Sequence, residues 1–404
     1  MPPRSLLVEI LYNYFPKWPW IVIGVALMLM FVPEVERLSF IAINLSSIYL
    51  FAKIGTIIHE SGHLMAAYWV GGKPKRMSLG TGHEIYRAEW KGLKIILNSV
   101  PIGGTANATF GDLPGIRWRL AFFLLGGVLF NVGAALIFYM LFGYDLSFSS
   151  GIHLSSTFII VSALGVFNLI PYYTSHYGLP LPTDGLALLQ TLFSRKRKFQ
   201  NISYSEDYFE AFECYERREY EKALSMYQTL NEKIEEDAIA LSMMSVILLK
   251  QNKPDEAMPL LKKLEEKVQT KEFKGIKGVI YNNIAWGYLL KNDIPTAYHY
   301  SSQAIKALSK NKTVGGTYGC ILIERGDIDI GMQWLLLNVD MKHPNDGTLV
   351  ASMYLMLAYH LKNDLAKRDK HQKFVRENES KLDRDSLLLW ERCLKKIEPH
   401  PLAS

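Results

Sequence analysis

The stretch IIHESGHLMAAYWVGG, residues 57 to 72, decides how the rest of the chain is read. It sets two histidines and a glutamate inside an apolar run, where ionisable groups are costly and usually kept for a function. On a helix, residues four apart share a face, so His59 and His63 can direct two imidazoles at one ion, with Glu60 beside them. Imidazole suits zinc, and a hydrolytic site needs no redox change. Two histidines satisfied by hydrogen bonds inside a helix bundle would also fit five residues. Three polar side chains together in one apolar helix weigh against that. His83-Glu84 has no histidine four residues later and reads as a surface pair.

Outward from this stretch, the first half of the chain is dominated by apolar runs: Trp18 to Val32, Ser39 to Val70, Leu120 to Phe142 and Leu154 to Pro171, with a shorter one at Asp184 to Phe193. Spanning a bilayer takes about 20 residues. The first run is short of that, the second is overlong and contains Lys53, and the next two are of spanning length. The connection from Gly71 to Arg119 carries eight lysines and arginines, whereas none lies between Gly143 and His153. The positive-inside rule therefore places that connection, and everything after Arg195, in the cytoplasm. Within the connection, EIYRAEWK and LKIILNSVPIGG read as short strands. The glycines of PIGG, Pro101 to Gly104, would let another backbone approach closely.

The chain has 404 residues, and its averages of 49 % hydrophobic and 21 % charged conceal a shift in composition. The basic run SRKRKFQ, Ser194 to Gln200, marks the boundary. A net charge of +6 without an aromatic-studded basic motif gives no case for nucleic acid. Cys214, Cys320 and Cys393 all lie in the second half without CxxC pairing, which argues against a disulfide framework. No signal-peptide layout is legible at the N-terminus, which reads as retained. From about residue 205 the pattern becomes helical pairs, each with a polar turn followed by a small residue opening an apolar face. Those small residues are Ala223, Ala257, Ala297, Gly331 and Ala366, spaced 34, 40, 34 and 35 apart, with an insertion around Gln269 to Gly275 in the longer step. A period near 34 is the tetratricopeptide signature. Such arrays present concave grooves to peptides or proteins.

A catalytic zinc needs a third protein ligand and an open position. Asp184, followed by Gly185, stands at the start of an apolar helix after a proline-broken segment; as a simple helix N-cap it would be unremarkable. Here the sequence resembles a known family, the site-2 proteases, on HESGH at 59 to 63, PIGG at 101 to 104, GGVLFN at 126 to 131, NLIP at 168 to 171 and TDG at 183 to 185. The resemblance covers roughly residues 39 to 193. It implies zinc held by His59, His63 and Asp184, with Glu60 as general base. It also implies Asn168 near the scissile carbonyl and Asn131 at the substrate. Pro101, Ile102, Gly103 and Gly104 are candidates for pairing with an extended substrate. The chain departs from the family where twelve residues, Tyr172 to Thr183, separate the proline from the aspartate. They include His176, which is an alternative third ligand.

The fold expected is mainly α. A segment to residue 38 holds a first transmembrane helix, and a polytopic membrane metalloprotease core with a short β element covers 39–193. A basic linker follows over 194–204, then a cytosolic α-solenoid of tetratricopeptide-like repeats over 205–404. The resemblance implies a Zn2+ metalloendopeptidase of the cell membrane that cleaves a membrane-anchored protein in or near its transmembrane segment. Its partners would be that substrate, the lipid bilayer and a protein or peptide bound by the repeats. A non-catalytic membrane scaffold that assembles partners through the repeats is the alternative.

Overall fold

The computed structural model of the protein describes residues 17–176, 179–193, 200–270 and 276–397. Expectations for the chain before Lys17, the basic run 194–199, residues 271–275 of the insertion and the chain after Ile397 lie outside the described residues. The chain divides into two compact units, residues 1–174 with 181–206, and residues 175–180 with 207–404.

Through residue 193 the order is α1 (Lys17–Leu29), α2 (Glu36–Trp69), β1 (Lys73–Trp90), β2 (Leu93–Thr109), α3 (Ile116–Phe142), α4 (Leu154–Leu164) running into a 3-10 turn (Gly165–Leu169), β3 (Tyr173–His176), β4 (Leu179–Pro182) and α5 (Asp184–Phe193). Among the described residues two helices, α2 and α3, are long and apolar enough to cross a membrane. α2 alone has 34 residues, about 50 Å at 1.5 Å per residue. The runs expected from Trp18 to Val32 and from Leu154 to Pro171 form shorter helices, of 13 residues and of 11 before the 3-10 turn. Pro171 is the reason for the second: it drives Ile170 into the extended region (φ −69°, ψ 124°), so the helix must stop short of it.

α2 is the hub of this unit and packs against α1, α3, α4 and both long strands. Its crossing with α3 is a glycine contact. A Cβ on Gly62 or on Gly126 would lie 2.5 Å from the other's carbonyl oxygen, and small residues of this kind are what let membrane helices close up. The strands are longer than the sequence suggests, 18 and 17 residues. Arg76–Leu79 are matched on one side with Asn107–Gly104 and on the other with Lys94–Leu97, while Glu84–Trp90 are matched with Asn98–Leu93. The chain bends at Gly80, Gly82 and Gly103, all with positive φ, where glycine carries no steric penalty. The segment from Gly104 to Thr109 is thereby left at a margin of the sheet.

The second unit is built of helix pairs: α6 (Ser205–Glu216) with α7 (Tyr220–Lys233), α8 (Ala238–Lys250) with α9 (Pro254–Lys267), α10 (Lys277–Leu290) with α11 (Ile294–Ala307), α12 (Lys312–Arg325) with α13 (Ile328–Leu336), and α14 (Asp346–Leu361) with α15 (Leu365–Glu377), followed by α16 (Arg384–Ile397). The turn inside each pair holds one residue in the left-handed region: Arg218, Asn252, Asn292, Gly326 and Asn363. Asparagine and glycine are the residues that adopt it most readily. Ala223, Ala257, Ala297 and Gly331 each occupy the fourth position of the second helix and are buried. The reason is close approach: a Cβ at Gly331 would meet Ile323 at 2.7 Å and the Gly319 carbonyl oxygen at 2.9 Å. Ala366 breaks the series. It is exposed, at the second position of α15, and Arg368 holds the fourth. The last step is therefore 37, matching the spacing of the turns from Gly326 to Asn363.

α14 is buried along nearly its whole length, from Thr348 to Tyr359, as expected for a helix covered on every side. Beside it, the His371 ring of α15 stacks on Tyr359 at 5.5 Å, and burial, with Lys370 nearby, holds its pKa down to about 4. A histidine depressed in this way contributes stability that is present above the unfolded value near 6.5 and is lost as pH falls from there toward 4. Screening by solvent keeps the effect to roughly 1–2 kcal/mol. His371→Phe should therefore narrow the fall in melting temperature over that window, read by circular dichroism against the unmodified chain at each pH.

Candidate functional site

The helical repeat of α2 stacks His59 and His63 on one face, their rings edge to face with centroids 4.7 Å apart. Their Nε2 atoms are 3.2 Å apart. Asp184 brings Oδ2 to 2.9 Å from His59 Nε2 and 3.4 Å from His63 Nε2. Both histidines are 5 % exposed.

The insertion does not displace the aspartate because it folds back on itself. Thr183 N–H donates to the Tyr172 carbonyl at 3.0 Å, and Thr183 Oγ1 donates to the Ile170 carbonyl at 2.7 Å. The chain thus leaves and returns at one point, with β3 and β4 between. Gly185 then seats α5 on the 3-10 turn, where a Cβ would overlap the Leu169 backbone. Thr183 also answers the N-cap alternative. Its Oγ1 accepts from Leu186 N–H at 3.4 Å, the usual N-cap bond, which leaves the Asp184 carboxylate to the imidazoles. The His176 side chain lies outside the described residues.

Each imidazole is oriented from behind. His63 Nδ1–H donates to the Phe123 carbonyl at 2.7 Å. His59 Nδ1 faces the Asn131 amide at 3.4 Å, and Asn131 Oδ1, buried, has no hydrogen-bond partner. Amide oxygen and nitrogen exchange by a half-turn, which would place that oxygen on His59 Nδ1–H. Both Nε2 lone pairs then face Asp184 Oδ2, and all three atoms lie within 4.8 Å of one another. Two imidazole lone pairs and a carboxylate oxygen meeting in a buried place suit a divalent cation, and this donor set fits zinc.

The surrounding residues divide. Asn168, in the 3-10 turn, places Nδ2 3.1 Å from His59 Nε2. Glu60 is buried next to the histidines, and a Cβ at Gly104 would lie 2.7 Å from Glu60 Cγ and 2.8 Å from its Oε1. Of the PIGG tetrad, Gly104 is the residue brought against the site; Ile102 is 68 % exposed and Gly103 borders open space. The Pro101 side chain lies outside the described residues. Glu84 is paired with Arg87 at the surface. The GGVLFN motif contains Gly127, but sequence reasoning gave that residue no role; a Cβ there would stand 2.6 Å from both His59 Nε2 and His63 Nε2. The doubled glycine amid leucine and phenylalanine was its one signal.

Residues 48–259 match the model of peptidase family M50, just over half of the chain. The chain belongs to peptidase family M50, the site-2 protease family. M50 proteins are generally zinc metalloproteases and typically membrane-embedded. No curated protein matches the chain. Similar solved structures include two of nearly identical TPR-like repeats from Podosopora anserina. Each is 12 % identical; they cover 43 % and 44 % of this chain and 93 % and 95 % of their own, with TM-scores of 0.32 and 0.31. Scores at that level add little. The tetratricopeptide-like solenoid of this M50 chain stands on its own helix pairs and on the recurrence of their turns.

Proposed function

We propose that the chain is an intramembrane zinc metalloprotease of the cell membrane. It would cleave a membrane-anchored protein in or near its transmembrane segment, with the cytosolic repeats recruiting substrate or a partner. The observation that carries this reading is the convergence of His59, His63 and Asp184 beside Glu60, on an apolar helix of 34 residues. α1 and the α4 segment would complete a polytopic bundle. The domains proposed follow the boundaries given above, 39–193 for the protease core and 205–404 for the repeats.

Zinc would be held by His59 Nε2, His63 Nε2 and the Asp184 carboxylate, and it supplies Lewis acidity: a more acidic water and a polarised carbonyl. Glu60 takes the proton of the attacking water and hands it to the leaving amine. The Asn168 amide donates to the carbonyl oxygen as negative charge builds there. Asn131 and the Phe123 carbonyl hold the two rings in place. A helical substrate hides its peptide bonds in i→i−4 hydrogen bonds and must be unwound before attack. The margin of the sheet at Gly104 offers replacement backbone partners by strand addition, with Pro101 to Gly103 leading the substrate in. The bare Cα of Gly104 lets that strand lie against Glu60.

The test is reconstitution in liposomes with a panel of single-span proteins, followed by mass spectrometry of the product ends. Cleavage within or beside the span, abolished by a zinc chelator and restored by zinc, is the expected result. Absence of cleavage across the panel, with the chain still binding partners through its repeats, would favour a non-catalytic scaffold.

A further inference from the structure

The inside of the repeat curve is already filled by the chain itself. Successive first helices touch one another, α8 on α10, α10 on α12 and α12 on α14, so their layer is the inner one. α16 lies along this layer, against α14, α10 and α8. It reaches α12 through an ion pair between Lys396 and Glu324. It is strongly amphipathic, and its apolar stripe of Leu389, Trp390 and Cys393 is buried.

The contact is recognised by charge at both ends. At the start of α16, Lys250 from α8 pairs with Asp383 at 3.3 Å and Asp385 at 3.6 Å, and also with Asp346. Trp286 Nε1–H of α10 donates to Asp385 Oδ2 at 2.9 Å, and Tyr220 Oη–H donates to Asp383 Oδ1 at 2.7 Å. Near its far end, Arg392 donates to the Leu289 and Leu290 carbonyls at 2.8 and 2.9 Å, closing the C-terminus of α10. Basic groups at helix C-termini are favourable partners.

We propose that the repeat groove is a helix-binding site occupied in cis by α16, and that its outside partner is an amphipathic helix of the same layout: two acidic residues at its start, a Leu/Trp stripe, and basic residues at its end. Helix-in-groove recognition reads apolar anchors at helical spacing and uses charge for register. Two features make the cis helix displaceable. It lies at the end of the second unit, so its departure breaks no later element among the described residues. It also carries an electrostatic cost: three carboxylates crowd Lys250, Arg218 reaches Asp383 alone among them at 3.5 Å, and burial pushes Asp385 up to about 6. This inference rests on the repeat architecture and is independent of the protease reading.

Hydrogen exchange on the intact, detergent-solubilised chain tests it first. Amides of residues 386–397 should exchange at least about tenfold faster than those of α14, through opening of α16 alone. Equal protection, within about twofold, would make α16 part of one cooperative core and overturn the proposal. A second measurement uses the chain ended at Leu382 and a fluorescent peptide of residues 383–397, which carries both acidic residues. Saturable binding is expected, at least about tenfold weaker both with Lys250→Ala and with the intact chain. A shortened chain that loses its helical circular dichroism, or stays folded and ignores the peptide, overturns the proposal.

Discussion

Replacing Gly127 by alanine should strip the chain of metal and of hydrolytic activity together. The added methyl would sit 2.6 Å from both His59 Nε2 and His63 Nε2, well inside van der Waals contact and on the donor atoms themselves. Neither ring can swing away, since His63 Nδ1 is tied to the Phe123 carbonyl and His59 Nδ1 abuts Asn131. The helices are already in contact there, because Gly62 and Gly126, the chain neighbours of His63 and Gly127, cross with no room for a side chain. Overpacking costs about 1–3 kcal/mol, and metal donors tolerate only about 0.2 Å of error. Zinc content by plasma mass spectrometry should drop to under about a tenth of the unmodified value, and cleavage by at least about 100-fold. Gly133→Ala is the control. It lies on the same helix with no atom within 4 Å of the added Cβ, and it should leave both quantities unchanged. Full zinc content in Gly127→Ala would show that the imidazoles do not point where the structure places them.

Glu60→Gln should separate the two quantities. Glutamine matches the shape of the glutamate and keeps its place beside Gly104, but it cannot take a proton. Losing a general base costs about 10^2–10^4 in rate. Cleavage should fall by at least that lower figure while zinc stays, since Glu60 is not among the converging donors. The arrested protein should also retain uncut substrate, which identifies it by mass spectrometry after gentle purification. A rate within about tenfold of the unmodified chain would remove Glu60 from the proton path.

Much of this site is legible in the sequence because it is local. His59, Glu60 and His63 fall within one turn of one helix, where four-residue spacing alone places the side chains. Asp184 is harder. It is 121 residues beyond His63, and the structure brings it in through Thr183, whose bonds to Ile170 and Tyr172 close the insertion at its base. A sequence shows the threonine but not the carbonyls it meets. Gly127 and Phe123 escape for a related reason. One acts by having no side chain and the other through its backbone; the doubled glycine marks a position without its purpose, and a backbone carbonyl marks nothing. The shortened α4 follows from a purely local rule, since a proline excludes the residue before it from the helical region and Pro171 does so to Ile170.

In the repeats, the spacing of small residues was legible for four pairs and slipped at the fifth. Ala366 is small but exposed, while Arg368 holds its place. The left-handed turn residues mark the phase more faithfully, because they answer to backbone geometry and do not depend on what happens to pack nearby. The return of α16 across α8, α10 and α14 is non-local, and no periodicity announces it.

Zinc stoichiometry of the purified chain and of its Asp184→Ala variant is the most direct test of the central claim. The arrangement of His59, His63 and Asp184 predicts about one zinc in the unmodified chain and little in the variant, with helical content unchanged. An Asp184→Ala chain that keeps its zinc, and loses it on His176→Ala, would contradict the account and move the third ligand into the insertion.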